Sequence, residues 1–216
     1  MRDEPTGITA ELLLRAYASG IFPMAETAAA EDIFWVDPRW RGILPLDAFH
    51  VPRRLARSFR NEDFDIRIDR DFPAVVRACG ERPETWINPA IEALYCELHR
   101  MGYAHSVEIW SGEDLVGGLY GVALGGAFFG ESMFSRRRDT SKFALIALVA
   151  RLNAGGFRLL DTQFVTSHLT GFGAVEISRA SYRDRLEAAL AVPADFFALP
   201  RDAGRQRLLQ LSTQTS

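Results

Sequence analysis

The stretch from Leu115 to Gln163 constrains this chain more than any other. It reads LVGGLYGVALGGAFFGESMFSRRRDTSKFALIALVARLNAGGFRLLDTQ. Two apolar, glycine-rich runs meet at Gly125-Gly126 and predict an antiparallel strand pair whose second member ends in Gly130–Ser135 (GESMFS). A helix beginning at Asp139 or Ser141 and stopped by Gly155 leads into a strand, Phe157 to Val165, that carries Asp161 and Gln163. Strand residues two apart lie about 6–7 Å from each other on one face. Asp161 and Gln163 are therefore expected to point the same way, beside Leu159. Phe129, Glu131 and Met133 should share a face of the other strand. If the two strands are neighbours, two carboxylates, an amide and several apolar groups converge on one concave site. A lone acid at a strand end is ordinarily just solvated. Here the acids interrupt apolar strands, next to glycines that let a ligand or another backbone come close.

The flanking segments give the site its frame. Thr9 is an N-cap for a helix that Gly20 closes, with Leu13, Ala16 and Tyr17 on its packing side. Gly20–Met24 leads into an alanine-rich stretch expected to be a mobile surface connection, and Phe34–Val36 reads as a short extended segment. Residues 1–46 are too few for a strong core and are expected to form a small N-terminal domain leaning on a larger one, 47–216. Pro45 and Pro52 bracket a turn, after which an arginine-bearing helix begins. Phe64–Asp69 alternates as a strand, and a short helix runs from about Phe72 to Cys79. Asn88-Pro89 caps a helix with Ile91, Leu94, Tyr95 and Leu98 at helical spacing. His105–Trp110 is a strand that a turn at Ser111–Asp114 returns to Leu115. A last helix spans Tyr182 to Leu190, and the Gln/Ser/Thr-rich end is expected to fray. No repeat is visible. The order is an α+β pattern: a strand, helices, a three-strand meander, a helix and another strand. That is the arrangement of GNAT-type acyltransferases among other folds, and this suggests acyl transfer by analogy alone.

Charge is distributed unevenly. The chain of 216 residues has a formal net charge of −3, yet Arg53, Arg54, Arg57 and Arg60 cluster in a segment free of acids. Arg136, Arg137, Arg138 and Lys142 form a second group. Such runs are usually solvated faces, but positions 53, 57 and 60 fall on one helix face. Local phosphate contacts decide nucleic-acid affinity, so an acidic protein can still bind it. Cys79 and Cys96 lack ligand spacing and are expected to be reduced and buried. His50, His99, His105 and His168 form no paired motif, so no metal and no cofactor is expected. No apolar run approaches the ~20 residues of a membrane span, and no basic-then-apolar leader is present. A cytoplasmic protein is expected, with no leftover apolar helix face to argue against a monomer.

The motifs together resemble bacterial leucyl/phenylalanyl-tRNA–protein transferases. The residues that carry the resemblance are Leu12–Pro23 (LLLRAYASGIFP), Thr85-Trp86-Ile87, His105–Glu108, Leu115–Gly121, GESMFS at 130–135, Ser141-Lys142, Asp161-Thr162-Gln163 and Gly173-Ala174. The resemblance implies an enzyme that moves leucine, also phenylalanine and less often methionine, from aminoacyl-tRNA to the α-amino group of proteins beginning with Arg or Lys. That modification marks those proteins for degradation. It implies catalytic roles for Asp161, Gln163 and Glu131, with the Gln163 amide accepting a hydrogen from the attacking amine. It further implies an aminoacyl pocket at Phe129, Met133 and Leu160, and tRNA 3′-adenosine contacts at Tyr17, Met24, Trp86 and Tyr95. The acceptor stem would meet Arg53, Arg54, Arg57 and Arg60. Some relatives carry tryptophan where Met24 stands, and methionine stacks less well on a base.

The chemistry suits these residue types. An aminoacyl ester is already activated, so positioning and charge control are the main tasks, and an α-amine with a reference pKa near ~8 needs little help to be neutral. Two alternatives share parts of the pattern. An acyl-CoA-dependent N-acetyltransferase would need a glycine-containing pyrophosphate loop before the helix, where this chain reads Ser135–Lys142 without glycine. A non-catalytic tRNA- or peptide-binding protein would tolerate the loss of Asp161.

Overall fold

The computed structural model describes residues 8–25, 33–82 and 85–213. The alanine-rich stretch expected to be a surface connection lies outside the described residues. Helix α1 (Ala10–Ala18) is capped by the Thr9 hydroxyl on the Leu12 amide. It is followed by a two-stranded antiparallel ribbon, β1 (Phe22–Ala25) with β2 (Ile33–Val36). Then come β3 (Trp40–Ile43), α2 (Arg53–Asn61), β4 (Asp65–Ile68), α3 (Phe72–Gly80) and α4 (Pro89–Arg100). Strands β5 (Ala104–Ser111), β6 (Asp114–Leu124) and β7 (Ala127–Ser135) form the meander. The chain continues through α5 (Thr140–Ala154), β8 (Leu159–Gln163), the short α6 (Ser167–Thr170), β9 (Val175–Ser178), α7 (Arg179–Leu190) and α8 (Arg205–Ser212).

The main sheet has seven strands in the order β4-β5-β6-β7-β8-β3-β9. Every pairing is antiparallel except β7 with β8, which α5 connects as a crossover. This confirms the mixed α+β class. Strand β3 was not anticipated: it comes from the segment assigned to a separate N-terminal unit, yet lies inside the main sheet between β8 and β9. Gly42 makes that possible, because a Cβ there would lie 2.6 Å from the Phe164 carbonyl carbon.

Two apolar cores flank the sheet. One face packs on α5, with α2 and α8 around it through Leu55, Phe59, Leu208 and Leu209. The other packs on α1, α3, α4 and α7 through Leu13, Tyr17, Val75, Tyr95 and Tyr182. Helix α5 is buried along nearly its whole length, and a helix apolar on all sides must be covered on all sides. That is why the segment leading into the Gln/Ser/Thr-rich end forms α8; residues 214–216 of the end expected to fray lie outside the described residues. The leucines of α8 cover the outer side of α5, and Asn153 Nδ2 donates to Leu211 O at 2.9 Å. The buried Arg151 guanidinium pins the preceding segment by donating to the carbonyls of Phe196, Leu199 and Pro200.

Candidate active site

Parallel pairing between β7 and β8 runs only from Ala127/Leu159 to Phe129/Asp161. Beyond that point the strands part. Two local irregularities coincide with the parting. Opposite β6, Tyr120 faces Ser132 and Gly121 faces Gly130, so Glu131 is the extra residue of a β-bulge. On β8, Gln163 adopts the left-handed conformation with φ 62°, which turns its side chain across the gap. Gln163 Nε2 donates to Glu131 Oε1 at 2.9 Å.

The bulge corrects the expected alternation. Phe129 and Met133 no longer share a face, because one added residue shifts the parity of the strand. Phe129 is fully buried with its ring 4.7 Å from that of Tyr17 and does not line the opening. Met133 and Leu160 do line it, with Leu119, Leu145, Leu148 and Leu169. The cavity of about 540 Å³ continues through the gap between the strands to Trp86, Tyr120 and Arg82 on the other side. It is thus an apolar hollow beside α5 whose polar threshold is Glu131 and Gln163. A shallower groove of about 740 Å³ along edge strand β4 contains none of the expected site residues.

Glu131 accepts from Tyr17 Oη at 2.7 Å and from Tyr95 Oη at 2.7 Å as well as from Gln163. The two tyrosine hydroxyls are also 2.6 Å apart. Burial pushes the Glu131 carboxyl up to about 7, against the pull of its three donors. Burial, reinforced by Glu131, likewise raises Tyr17 and Tyr95 well above the ordinary phenol range, so both stay protonated donors. In its ionised form Glu131 only accepts, which places the Gln163 side-chain nitrogen on Glu131 and leaves its oxygen without a side-chain partner among the described residues. Tyr17 and Tyr95, expected at the 3′ adenosine, are fully buried and committed to Glu131. Of that group Trp86 lines the cavity, and Met24 is half-buried on β1.

Asp161 does not line the cavity. It lies on the opposite face with Leu159, fully buried. Its oxygens accept from Arg41 Nε at 3.0 and 3.1 Å and from Arg41 Nη2 at 2.6 Å. They also accept from Tyr182 Oη at 2.6 Å and from the Gln163 backbone N–H at 2.7 Å. Sequence reasoning missed Arg41 and Tyr182. The available signal was an arginine set within the short apolar run Trp40–Leu44. Burial works to lower the Arg41 pKa, but Asp161 outweighs it and the net shift is upward.

Three buried polar atoms on the cavity wall have no partner among the described residues: Tyr120 Oη, Thr162 Oγ1 and His168 Nε2. Burial, helped by Lys142, lowers the His168 pKa and keeps the ring neutral. Elsewhere, Arg53, Arg54, Arg57 and Arg60 are exposed on α2, a helix without an acidic residue. Cys79 is buried and Cys96 half-buried, both as free thiols. Asp69, His99 and His105 do converge. However, His105 Nδ1 bonds Asp69 Oδ2 and His99 Nδ1 bonds Ala104 O, each at 2.8 Å, so the group reads as a structural corner. Among the described residues, no helix is long and apolar enough to cross a membrane.

Comparison with known proteins bears on this arrangement as a whole. A family model described as leucyl/phenylalanyl-tRNA protein transferase matches residues 43–187, and one for the N-terminal domain of the same proteins matches residues 7–39. The chain is 65% identical over 193 residues to the leucyl/phenylalanyl-tRNA–protein transferase of Paramagnetospirillum magneticum, covering 88% of this chain and 92% of that one. It is 58% identical over 209 residues to that of a Ruegeria species, covering 97% and 99%. It is 61% identical over 213 residues to that of Phenylobacterium zucineum, covering 94% and 96%. The matches span both the ribbon that carries Met24 and the parted strands that carry Glu131 and Gln163, and the chain belongs to the leucyl/phenylalanyl-tRNA–protein transferase family.

Proposed function

We propose that this chain transfers leucine or phenylalanine from aminoacyl-tRNA to the α-amino group of proteins that begin with Arg or Lys. The observation that carries the reading is the parting of β7 and β8, which joins an apolar hollow to a polar threshold where Gln163 and Glu131 meet at 2.9 Å. The sheet is read as GNAT-like, an antiparallel meander continued by a β7-α5-β8 crossover. The amino-acid side chain of the donor enters the hollow between Met133, Leu145, Leu148 and Leu160, an unbranched or γ-branched group suiting a flexible wall. The terminal adenosine rests near Trp86 and Met24, and the acceptor stem lies along the arginines of α2.

The attacking amine approaches the free oxygen of Gln163, which accepts one N–H and aims the nitrogen lone pair at the ester carbonyl carbon. The new C–N bond forms, the ester C–O bond breaks, and the amine's proton leaves with the departing ribose oxygen. An amide is too weak a base to take that proton outright, so Gln163 orients and the activated ester supplies the driving force. Glu131 is the only acid on the cavity wall among the described residues. Its ionised form, reached as the pH rises through about 7, is therefore the one placed to favour a cationic acceptor, since Asp161 is paired with Arg41 away from the cavity. The enzyme is taken to act in the cytoplasm as a monomer.

The test is transfer of radiolabelled leucine from charged tRNA to a peptide starting with Arg. Gln163→Ala should cut turnover far more than it weakens tRNA binding. A parent chain that transfers nothing would refute the function, and a Gln163→Ala variant at the parental rate would refute the role of the amide.

A further inference from the structure

Asp161 has no capacity left for a substrate. Both oxygens are filled by Arg41, Tyr182 and the Gln163 amide, and the pair is sealed, with Arg41 and Asp161 exposed by 1% and 0%. The Arg41 guanidinium is sandwiched between the rings of Phe22 and Tyr182, at 4.4 and 4.6 Å. Its remaining arm, Nη1, donates to Gly20 O at 3.1 Å. Gly20 closes α1, the helix that presents Tyr17 to Glu131. One side chain from β3 therefore ties together the supports of both threshold residues. On one side it holds the carboxylate that fixes Gln163. On the other it holds the end of the helix that fixes Glu131.

We propose that Arg41 is a positioning residue for the transfer reaction, acting through Asp161, the carboxylate that holds the Gln163 backbone N–H. This rests on the function proposed above. Gln163 sits at φ 62°, a conformation sparsely populated by residues other than glycine and kept only where its surroundings dictate it. It is held by the turn in which Phe164 N–H donates to Thr162 O at 2.6 Å, by the bond from the Gln163 backbone N–H to Asp161 Oδ1, and by β3 lying against Phe164 and Val165 at Gly42. A carboxylate without its arginine would turn to seek other donors and release that amide. Gln163 would then relax towards extended backbone and carry its oxygen away from the amine. A lysine at position 41 keeps the charge but loses the planar fork that serves Asp161 and Gly20 at once.

The experiment uses the full chain and measures leucine transfer, aminoacyl-tRNA binding and thermal melting for R41K, R41M, D161N, Y182F and the double variant R41M/D161N. A misplacement of about 1 Å can cost on the order of 100-fold in rate. R41K is therefore expected to lose about 10- to 100-fold in kcat with KM for aminoacyl-tRNA little changed, and Y182F to lose less in the same direction. Because Arg41 acts through Asp161, the losses of R41M and D161N should not multiply. The double variant should fall within about 3-fold of the worse single one, as groups that work as a unit do. Folded R41K with parental kcat, or multiplying losses in the double variant, would overturn the proposal. Should R41K fail to fold, Y182F decides alone, since removing one hydroxyl leaves the packing in place and parental kcat there would be fatal. A parent that transfers leucine while R41K does so equally well removes only the role of Arg41. A parent that transfers nothing removes the function itself.

Discussion

The Glu131 carboxyl sets burial against hydrogen bonding, and the outcome can be weighed. Three donors hold it at 2.7, 2.7 and 2.9 Å, each favouring the charged form. Burial favours the neutral form and wins, raising the group from 4.5 to about 7. At about 1.4 kcal/mol per pKa unit this difference corresponds to about 3 kcal/mol, an upper figure because the cavity admits water beside the carboxyl. The sign follows from proton counting. Between those two values the folded chain holds a proton that the unfolded chain has released, so raising the pH favours unfolding. The contribution is fully present below pH ~4.5 and is lost as the pH rises through ~7. Glu131→Gln removes the titration while keeping the shape. Urea unfolding of parent and variant at intervals from pH 5 to 8 isolates it, because all other titrations cancel in the difference. The stability of the parent relative to the variant should fall by up to about 2.5 kcal/mol across that range, most of it before pH 7. A difference that stays flat, or that grows with pH, would mean that the three donors outweigh burial and that the reasoning is wrong.

Gly42→Ala should destabilise the chain by about 1–3 kcal/mol, since its Cβ would press on backbone at 2.6 Å and cannot be relieved by a side-chain turn. It should lower transfer by more than the stability loss explains, which parallel melting and turnover assays would reveal. Replacing Arg53 and Arg57 by alanine should weaken tRNA binding and reduce the slope of log K against log salt by about 1–2, read from filter binding over a salt series. Unchanged slopes would remove α2 from the interface. Burial pushes the Cys79 thiol up to about 12, while the half-buried Cys96 is shifted less. Mass spectrometry after a brief maleimide pulse at pH 8 should therefore find Cys96 labelled first and Cys79 only after denaturant is added.

The legible parts of the fold were those written in local chemistry. Thr9 and Asn88 cap their helices through side-chain bonds, and a cap is readable because its partners lie three residues away. The meander was readable from its glycine turn and its alternation. Strand β3 was not, since four residues carry little period, and their place depends on Gly42 meeting a segment more than 100 positions later. Helix α8 was hidden for a related reason. Its own sequence is polar and weakly patterned, and what orders it is the uncovered side of α5.

At the site, residue types were legible and directions were not. Strand parity placed Glu131 with Phe129 and Met133, and Asp161 with Gln163, because alternation is the only rule a sequence supplies for a strand. A bulge adds one residue and a left-handed backbone reverses one side chain, and both events sit at the opening itself. Neither leaves a strong local mark: Gly130 before Glu131 is compatible with a bulge but also with a plain glycine in a strand. The two departures have one consequence. Regular strands would have kept pairing past Phe129 and Asp161 and closed the sheet. The irregularities let the strands separate and turn an acid and an amide towards each other across the gap. The unfavoured backbone of Gln163 is then held by its surroundings: the Phe164–Thr162 backbone bond, β3 packed at Gly42, and the Asp161 carboxylate that Arg41 keeps in place.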